Sequence, residues 1–170
     1  MNKRIAFAAI LLLALASIAA AYVSEVPAFH NVMASVIERL RNHKDPDELR
    51  RLEPEDIVAF LNEDEKRALG TQYWSFHIDQ PVEVWIARDT RQRELPFWLE
   101  DRNFEKTPLE IQTAKSTFEL WRKPFDAGPV GLGPNGFRPE RQHYFIILQP
   151  RKHNAEVNIQ DITPSRHQTT

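Results

Sequence analysis

The spacing of the apolar residues changes at Tyr73, and this change limits the possible fold more than any other feature of the sequence. Before Tyr73, apolar residues recur at steps of three and four, which is the spacing of a helix that buries one face. From Tyr73 onward they alternate with polar residues, as Phe76 and Ile78 do, and a period of two is typical of a strand. The sequence therefore predicts a helical N-terminal segment over residues 22–71 and a β-sandwich domain over residues 72–163.

The helical segment has one long apolar stripe, followed by short helices with recognisable starting points. The stripe consists of Val26, Phe29, Met33, Val36, Ile37 and Leu40. Asp45 followed by Pro46 is typical of a helix start, because the carboxylate accepts hydrogen bonds from the first N–H groups and proline is tolerated in the first turn. Asn62 and Glu65 have the spacing of a further capping pair, and the helix that they open is predicted to stop at Gly70.

Short strands are predicted through the rest of the chain, separated by turns rich in proline, glycine and charge. The apolar or alternating runs cover residues 74–78, 82–87, 97–99, 109–111, 117–121, 130–132, 144–148 and 157–162. About seven or eight strands at such spacing favour a mostly β fold with an immunoglobulin- or fibronectin type III-like β-sandwich. The absence of cysteine favours the fibronectin type III-like form. Residues 164–170 are predicted to be a polar tail.

The N-terminus has the features of an export signal. Lys3 and Arg4 precede an almost entirely apolar run, residues 5–21, which ends in three alanines before Tyr22. The run is shorter than the roughly 20 residues of a comfortable membrane span, and its end is an Ala-x-Ala cleavage site. Residues 1–21 are therefore predicted to be a signal peptide, cleaved from an exported protein that is periplasmic or secreted, with an uncleaved anchor as the alternative. We expect no stable membrane insertion after cleavage.

The charge balance and the missing cysteine exclude several classes of function. The whole chain has a net charge of −2 at pH 7, and the predicted signal peptide contains two of its basic residues. A nucleic-acid-binding protein needs an excess of Lys and Arg to neutralise phosphates, so no nucleic-acid partner is expected. Without cysteine the chain has no disulfide, no thiolate metal site and no cysteine nucleophile.

Two pairs of side chains are candidate ligand-binding residues. His77 and Asp79 are two residues apart on a predicted strand, so both would point to one face and could reach one metal ion. The alternative is that they belong to the polar face of an edge strand. Trp85 and Trp121 are out of phase with their apolar neighbours, so we expect them to be exposed and to offer stacking surfaces for a sugar. The sequence contains no catalytic constellation and no third metal ligand near His77, so no catalytic or metal-binding residue is assigned.

Residues 131–136 match the G-x-G-x-x-G spacing of a dinucleotide-binding loop, but their context does not fit one. Such a loop must open a helix whose N–H groups hold the pyrophosphate. Pro134 lacks one of those N–H groups, and Pro139 is incompatible with a continuing helix. A strand followed by a turn is predicted here instead.

A longer pattern is similar to a known family. It comprises Phe60-Leu61, the acidic residues 63–65, Tyr73-Trp74-x-Phe76-x-Ile78-Asp79, Pro96-Phe97-Trp98-Leu99-Glu100, Phe104-x-Lys106-Thr107 and Ala127-Gly128-x-Val130-x-Leu132-Gly133-x-Asn135-Gly136. The pattern covers most of residues 57–163 and resembles the N-terminal, non-catalytic region of exported bacterial metallophosphoesterases similar to purple acid phosphatases. In that family a sandwich region precedes a catalytic domain with a dinuclear metal centre. The family's metal ligands lie in the downstream domain, so the resemblance implies no cofactor and no catalytic residue in this chain.

Two functions remain open at this point. The first is an exported, non-catalytic accessory or recognition module associated with such a metallophosphoesterase domain in cis or in trans, or a truncated N-terminal part of one. The second is an independent extracytoplasmic β-sandwich module that binds a carbohydrate or a protein. Asp126-Ala127-Gly128 is similar to one metal-binding triplet of phosphoesterases, but one aspartate cannot form a two-metal centre. The chain alone is therefore not expected to be an enzyme, although a longer protein that contained it would be a metal-dependent phosphoesterase.

Overall fold

The computed structural model describes residues 26–138 and 143–164. Within these ranges the chain is mostly β, with two antiparallel sheets of three and four strands preceded by helices. The predicted signal peptide, residues 1–21, lies outside the described residues, as does the predicted polar tail, residues 164–170, except for Pro164, which ends a strand. Among the helices of the two described ranges, none is long and apolar enough to cross a membrane.

The N-terminal segment consists of helices that start where the local sequence predicts. They are α1 (Phe29–His43), α2 (Pro46–Arg50), α3 (Pro54–Phe60) and α4 (Glu63–Thr71). Asp45 accepts hydrogen bonds from two N–H groups in the first turn of α2, and Asn62 accepts one from the N–H of Glu65 in α4. Both predicted capping sites are therefore confirmed. Helix α4 continues through Gly70 and ends one residue later than predicted.

Seven strands of the described residues form the two sheets. They are β1 (Trp74–Ile78), β2 (Val82–Asp89), β3 (Glu105–Gln112), β4 (Thr117–Phe125), β5 (Gly128–Leu132), β6 (Phe145–Pro150) and β7 (Ile159–Pro164). The order is β5-β1-β7 in the three-stranded sheet and β3-β4-β2-β6 in the four-stranded sheet. The chain passes from one sheet to the other after β1, β4, β5 and β6, so neither sheet is a separate unit of sequence.

One predicted strand is a helix. The apolar run over residues 97–99 forms the first turn of α5 (Phe97–Asp101). Trp98 and Leu99 are consecutive and both are buried in the core. Two consecutive buried side chains suit one helical turn, whereas they would point to opposite faces of a strand. The predicted strand is therefore wrong, because a run of three apolar residues does not distinguish a strand from a short buried helix.

The two sheets share one apolar core. Phe76 and Val130 from the three-stranded sheet, Val84 and Ile86 from the four-stranded sheet, and Trp98 of α5 all belong to a single buried cluster. A core enclosed between two sheets is the arrangement of a β-sandwich. A second apolar cluster holds the four N-terminal helices together.

Two glycines allow close approaches, Gly131 to Thr71 of the helical segment and Gly133 to Trp98 of α5. A Cβ on Gly131 would lie 2.2 Å from the Thr71 carbonyl oxygen, and a Cβ on Gly133 would lie 2.3 Å from Cδ1 of Trp98. Both separations are too short for any side chain. The indole N–H of Trp98 also donates a hydrogen bond to the Pro134 carbonyl at 2.7 Å. The first two glycines of the G-x-G-x-x-G spacing therefore allow close packing, and over the described residues 133–138 β5 leads into a loop and not into a helix.

Candidate functional site

The outer face of the four-stranded sheet is apolar, although it points away from the core. It is formed by Leu109 and Ile111 of β3, Phe118 and Leu120 of β4, Trp85 and Ala87 of β2, and Phe145 and Ile147 of β6. The direction follows from the register, because Ala87 pairs with Leu120 while its chain neighbour Ile86 is buried in the core. Successive strand residues point to opposite faces. We call this surface the apolar face.

Four side chains of the apolar face are accessible to solvent. Leu109 is 54% exposed, Phe145 58%, Ile147 41% and Ile111 38%. Seven large apolar side chains are exposed in the described residues, so one surface holds the majority of them. Monomeric soluble proteins seldom expose contiguous apolar patches larger than a few hundred Å², and the largest patch of a monomer is often functional. The apolar face is therefore the best candidate for a binding surface.

Two phenylalanines, one from β4 and one from the edge strand β6, meet across β2 on the apolar face. The ring centroids of Phe118 and Phe145 are 5.3 Å apart, with the edge of one ring directed at the other. Their strands flank β2, which presents Ala87 at this point, and its small side chain leaves room for the two rings. Ala87, Phe118 and Leu120 are buried together on this side of the sheet. The apolar face thus has a well-packed centre and exposed margins.

Trp85 lies at the polar end of the apolar face. Its indole N–H donates a hydrogen bond to Oε1 of Gln149 at 3.0 Å, and the guanidinium of Arg122 lies over its ring, 5.8 Å from the centroid. Arg122 also contacts the carboxylate of Glu105 at 3.4 Å. Trp85 is half-buried. Because Arg122 covers one side of the ring, Trp85 offers only part of the stacking surface that a sugar-binding tryptophan needs.

Trp121 is not on the apolar face, and its predicted exposure is wrong. It pairs with Ile86, so its side chain points into the sandwich and is only 6% exposed. Its indole N–H donates a hydrogen bond to Glu119 at 3.1 Å. The prediction assumed that Phe118 and Leu120 mark the core side of β4. Large apolar side chains in fact occur on both faces of this strand, and the side with Trp121 is the inner one.

Glu119 is the centre of an ion-pair network at one end of the core. Nitrogen atoms of Arg88 and Lys106 lie 2.5 and 2.6 Å from its two carboxylate oxygens. Burial raises the pKa of Glu119, but the hydrogen bonds from Lys106, Trp121 and Arg88 lower it further than burial raises it, so the pKa lies below its ordinary value. The network joins β2, β3 and β4 from the inside, and its groups bind one another. We therefore assign it a structural role.

His77 and Asp79 lie on the exposed surface of the three-stranded sheet, each with its own partner near β7. Nδ1 of His77 is 4.0 Å from a carboxylate oxygen of Asp161. Asp79 follows the end of β1 and accepts two hydrogen bonds from Asn158, one from the side-chain amide at 2.7 Å and one from the backbone N–H at 3.0 Å. These bonds lower the pKa of Asp79. In the described part of the chain no group of three potential metal ligands occurs, so a binding role for this pair stays a prediction.

Of the side chains on the apolar face, only Trp85 is predicted from the sequence to be exposed. The signal that could have found the others is the uninterrupted run Phe145-Ile146-Ile147-Leu148. A strand that is apolar at every position either has both faces covered by other elements or exposes apolar side chains on one face. In a sandwich of two layers, only one face of each strand is covered by the core.

The chemistry of the apolar face is that of association and not of catalysis. Its members have no titratable or nucleophilic side chain, so the surface can bury apolar area against a partner but cannot move a proton or attack a bond. Aromatic and aliphatic side chains at the centre, with polar groups such as Gln149 and Arg122 at the margin, are typical of a protein–protein interface. Comparisons of the chain with protein-family models, with curated proteins and with solved structures gave no match.

Proposed function

We propose that the chain is an exported, non-catalytic accessory or recognition module, and that its apolar face docks on a metallophosphoesterase domain similar to purple acid phosphatases. The observation that carries the docking is the exposed apolar face, with Phe145 and Leu109 more than half accessible at its two margins. The identity of the partner rests on the family resemblance of residues 57–163. We further propose that the sandwich is of the immunoglobulin- or fibronectin type III-like kind, in which seven strands are likewise divided between sheets of three and four.

The size of the apolar face favours a partner that is tethered to this chain or held close to it. Four strands about 4.8 Å apart and about six residues long, at about 3.3 Å per residue, give the whole outer side of the sheet an area of about 400 Å², and the apolar face occupies part of it. A stable complex between free proteins buries about 800 Å² on each partner, whereas contacts between domains of one chain bury from about 600 Å² in total. Docking in cis satisfies this limit if the partner covers the whole outer side of the sheet, and docking in trans requires further contacts.

The docking is tested by placing charges on the β3 margin of the apolar face. In a Leu109→Lys/Ile111→Lys double variant, binding must desolvate two ammonium groups. We expect the affinity for the catalytic domain of the metallophosphoesterase encoded with or beside this chain, measured by calorimetry, to fall at least about tenfold. Ile37→Lys is the matched control, because Ile37 is 41% exposed on α1 and lies outside the apolar face.

Each result of this experiment has a defined meaning. Loss of affinity in the double variant with no change in Ile37→Lys supports docking through the apolar face. Equal affinity of the unaltered chain and the double variant would contradict docking through this face. If the unaltered chain does not bind the catalytic domain, the proposed partner is wrong, and an independent protein-binding module becomes the better assignment for the same surface.

Export is tested separately from docking. If residues 1–21 are a cleaved signal peptide, mass spectrometry of the chain recovered from the periplasm or medium should find Tyr22 at the N-terminus. Recovery of the chain with residues 1–21 still attached and bound to membranes would support the uncleaved anchor. Recovery only from the cytoplasm would contradict export altogether.

A further inference from the structure

Four strands lie at the edges of the two sheets, and three of them have features that hinder pairing with another chain. Strand β3 contains Pro108 and an irregular register between Lys106 and Glu110. Strand β5 is only five residues long and contains Pro129. Strand β7 has a shifted register and a charged residue, Asp161, with φ of 52°. Bulges, prolines, charges and shortness are the usual means by which an edge strand avoids unwanted pairing.

Strand β6 differs from the other three edges. It pairs with β2 over six residues without any shift of register, and its sequence, FIILQP, has no charged residue. Its proline, Pro150, is the last residue and leaves the preceding five free to pair. Within the described residues no strand pairs with the other side of β6. An exposed, regular and apolar edge of this kind is a template for a further strand.

We propose that β6 pairs antiparallel with β6 of a second copy, across a two-fold axis through Ile147, so that two four-stranded sheets form one continuous sheet of eight strands. This axis places Phe145 opposite Gln149 of the second copy, and Ile146 opposite Leu148 of the second copy. Opposed side chains are then apolar or uncharged, which favours the pairing. A shift of one residue would pair the outward side chains of one copy with the inward side chains of the other. The alternation of outward and inward residues along β6 therefore selects the registers that differ from this one by an even number of residues.

The second copy fits this edge because β6 is complementary to itself. In an isologous contact both subunits use the same surface, so the assembly is a closed dimer. The features that hinder pairing at β3, β5 and β7 oppose further growth. Beyond the strands, Arg151 of each copy lies opposite His143 of the other, so two basic side chains face each other at each end of the pairing. The inference goes beyond the proposed docking and does not depend on it.

A single cysteine at Ile147 tests this pairing without background, because the chain contains no cysteine. In the proposed dimer Ile147→Cys faces its own counterpart, and cross-strand Cβ atoms about 4.5–5.5 Å apart are close enough for a disulfide after a small adjustment. The matched control is Ile111→Cys, which is on the same apolar face at the opposite edge of the sheet. The two native side chains are almost equally exposed, at 41% and 38%.

We expect mild oxidation of the purified chain to form the disulfide-linked dimer of Ile147→Cys at least about tenfold faster than that of Ile111→Cys, because only the first pair is aligned. Light scattering should give the unaltered chain twice the monomer mass, and Ile147→Lys, which sets two ammonium groups against each other, should reduce it to the monomer mass. Circular dichroism checks that this exposed substitution leaves the fold intact.

Three results would overturn the proposal. Equal cross-linking rates of the two cysteine variants would indicate random collision or packing of the two apolar faces. A monomer mass for the unaltered chain at high concentration would exclude the pairing. A mass that keeps rising with concentration would indicate open-ended association instead of a closed dimer. Because Leu109→Lys/Ile111→Lys leaves β6 unchanged, docking and dimerisation can fail independently of each other.

Discussion

Glu119 lies inside the sandwich although it is charged, and its partners show why this is tolerated. Its side chain is 12% exposed and that of Arg88 is 6% exposed. Removing such a pair from water is unfavourable, and it is offset only when each charge has close partners of the opposite sign. Arg88 and Lys106 from two neighbouring strands supply that charge, and the indole N–H of Trp121 adds a hydrogen bond. The stability of this end of the sandwich therefore depends on Glu119 being ionised.

We predict that Glu119→Gln lowers the free energy of unfolding at pH 7 by about 2–4 kcal/mol, since it leaves the buried guanidinium of Arg88 without a counter-charge. Urea unfolding followed by tryptophan fluorescence measures the change. The control is Glu105→Gln, which removes an exposed ion pair with Arg122 on the same sheet. Its cost should stay below about 1 kcal/mol. Equal effects of the two variants would contradict the role assigned to Glu119.

Glu119→Gln also measures how much of the loss of stability at acid pH is due to Glu119. A carboxyl whose pKa is lower in the folded state adds stability above its unfolded pKa, near 4.5 for Glu119, and loses it as the pH falls through the folded pKa. The unaltered chain should therefore lose more stability than Glu119→Gln as the pH falls below about 4.5. Asp89, whose pKa the side chain of Arg91 lowers, contributes acid sensitivity to both proteins. The difference between their pH profiles consequently isolates Glu119.

At the scale of elements, β4 and β6 connect the fold with the candidate site because each has large apolar side chains on both faces. The inner side of β4 holds Trp121 against the core, while its outer side presents Phe118 and Leu120. On β6 the residues that point outward, Phe145 and Ile147, are the more exposed ones. A two-layer sandwich covers only one face of each strand. The outward apolar side chains are therefore not needed for the core of the sandwich, and a partner can bury them.

The helices were predicted from sequence more completely than the strands because their signals are local. The acceptor of each cap and the N–H groups that it binds are at most three residues apart, as at Asn62 and Glu65. The short helix at Phe97–Asp101 was missed because three apolar residues contain no period. The sequence predicts a strand at Thr117–Trp121 correctly, but it does not predict correctly which face of that strand is buried in the core. Which face of a strand is inside depends on distant partners, here β2 and β3, and these cannot be identified from one segment.

The candidate site was harder to predict for the same reason. Leu109, Phe118 and Phe145 are far apart in sequence and come together only through the strand order β3-β4-β2-β6. Each of them alone has the appearance of an ordinary core residue. Trp85 was found because it is out of phase with Val84 and Ile86, which are buried on the same strand. An out-of-phase residue indicates the outer face only where the core side is already known.

At the scale of the whole molecule, hydrogen bonds from one side chain to the backbone of both parts couple the stabilities of the helical segment and the sandwich. The guanidinium of Arg102 donates hydrogen bonds to the carbonyl of Gly70 in α4, at 2.9 Å, and to the carbonyl of Gly131 in β5. Burial lowers the pKa of Arg102 to about 10, which leaves the side chain cationic at neutral pH. On the other side of this junction, the rings of Phe29 and Tyr73 meet at 5.3 Å between centroids. The two parts should therefore unfold as one unit.

We predict a single thermal transition, in which helix content and tryptophan environment change together. The four tryptophans lie between Trp74 and Trp121, so their fluorescence reports on the sandwich, whereas the circular dichroism signal of helices reports mainly on α1 to α4. Arg102→Met removes both backbone contacts, so the helical signal should melt roughly 3–8 °C earlier than in the unaltered chain and before the fluorescence signal. Arg93→Met, an exposed site with the same change in charge, should leave the two transitions coincident. Separate transitions in the unaltered chain would show that the contacts at Gly70 and Gly131 do not couple the two parts.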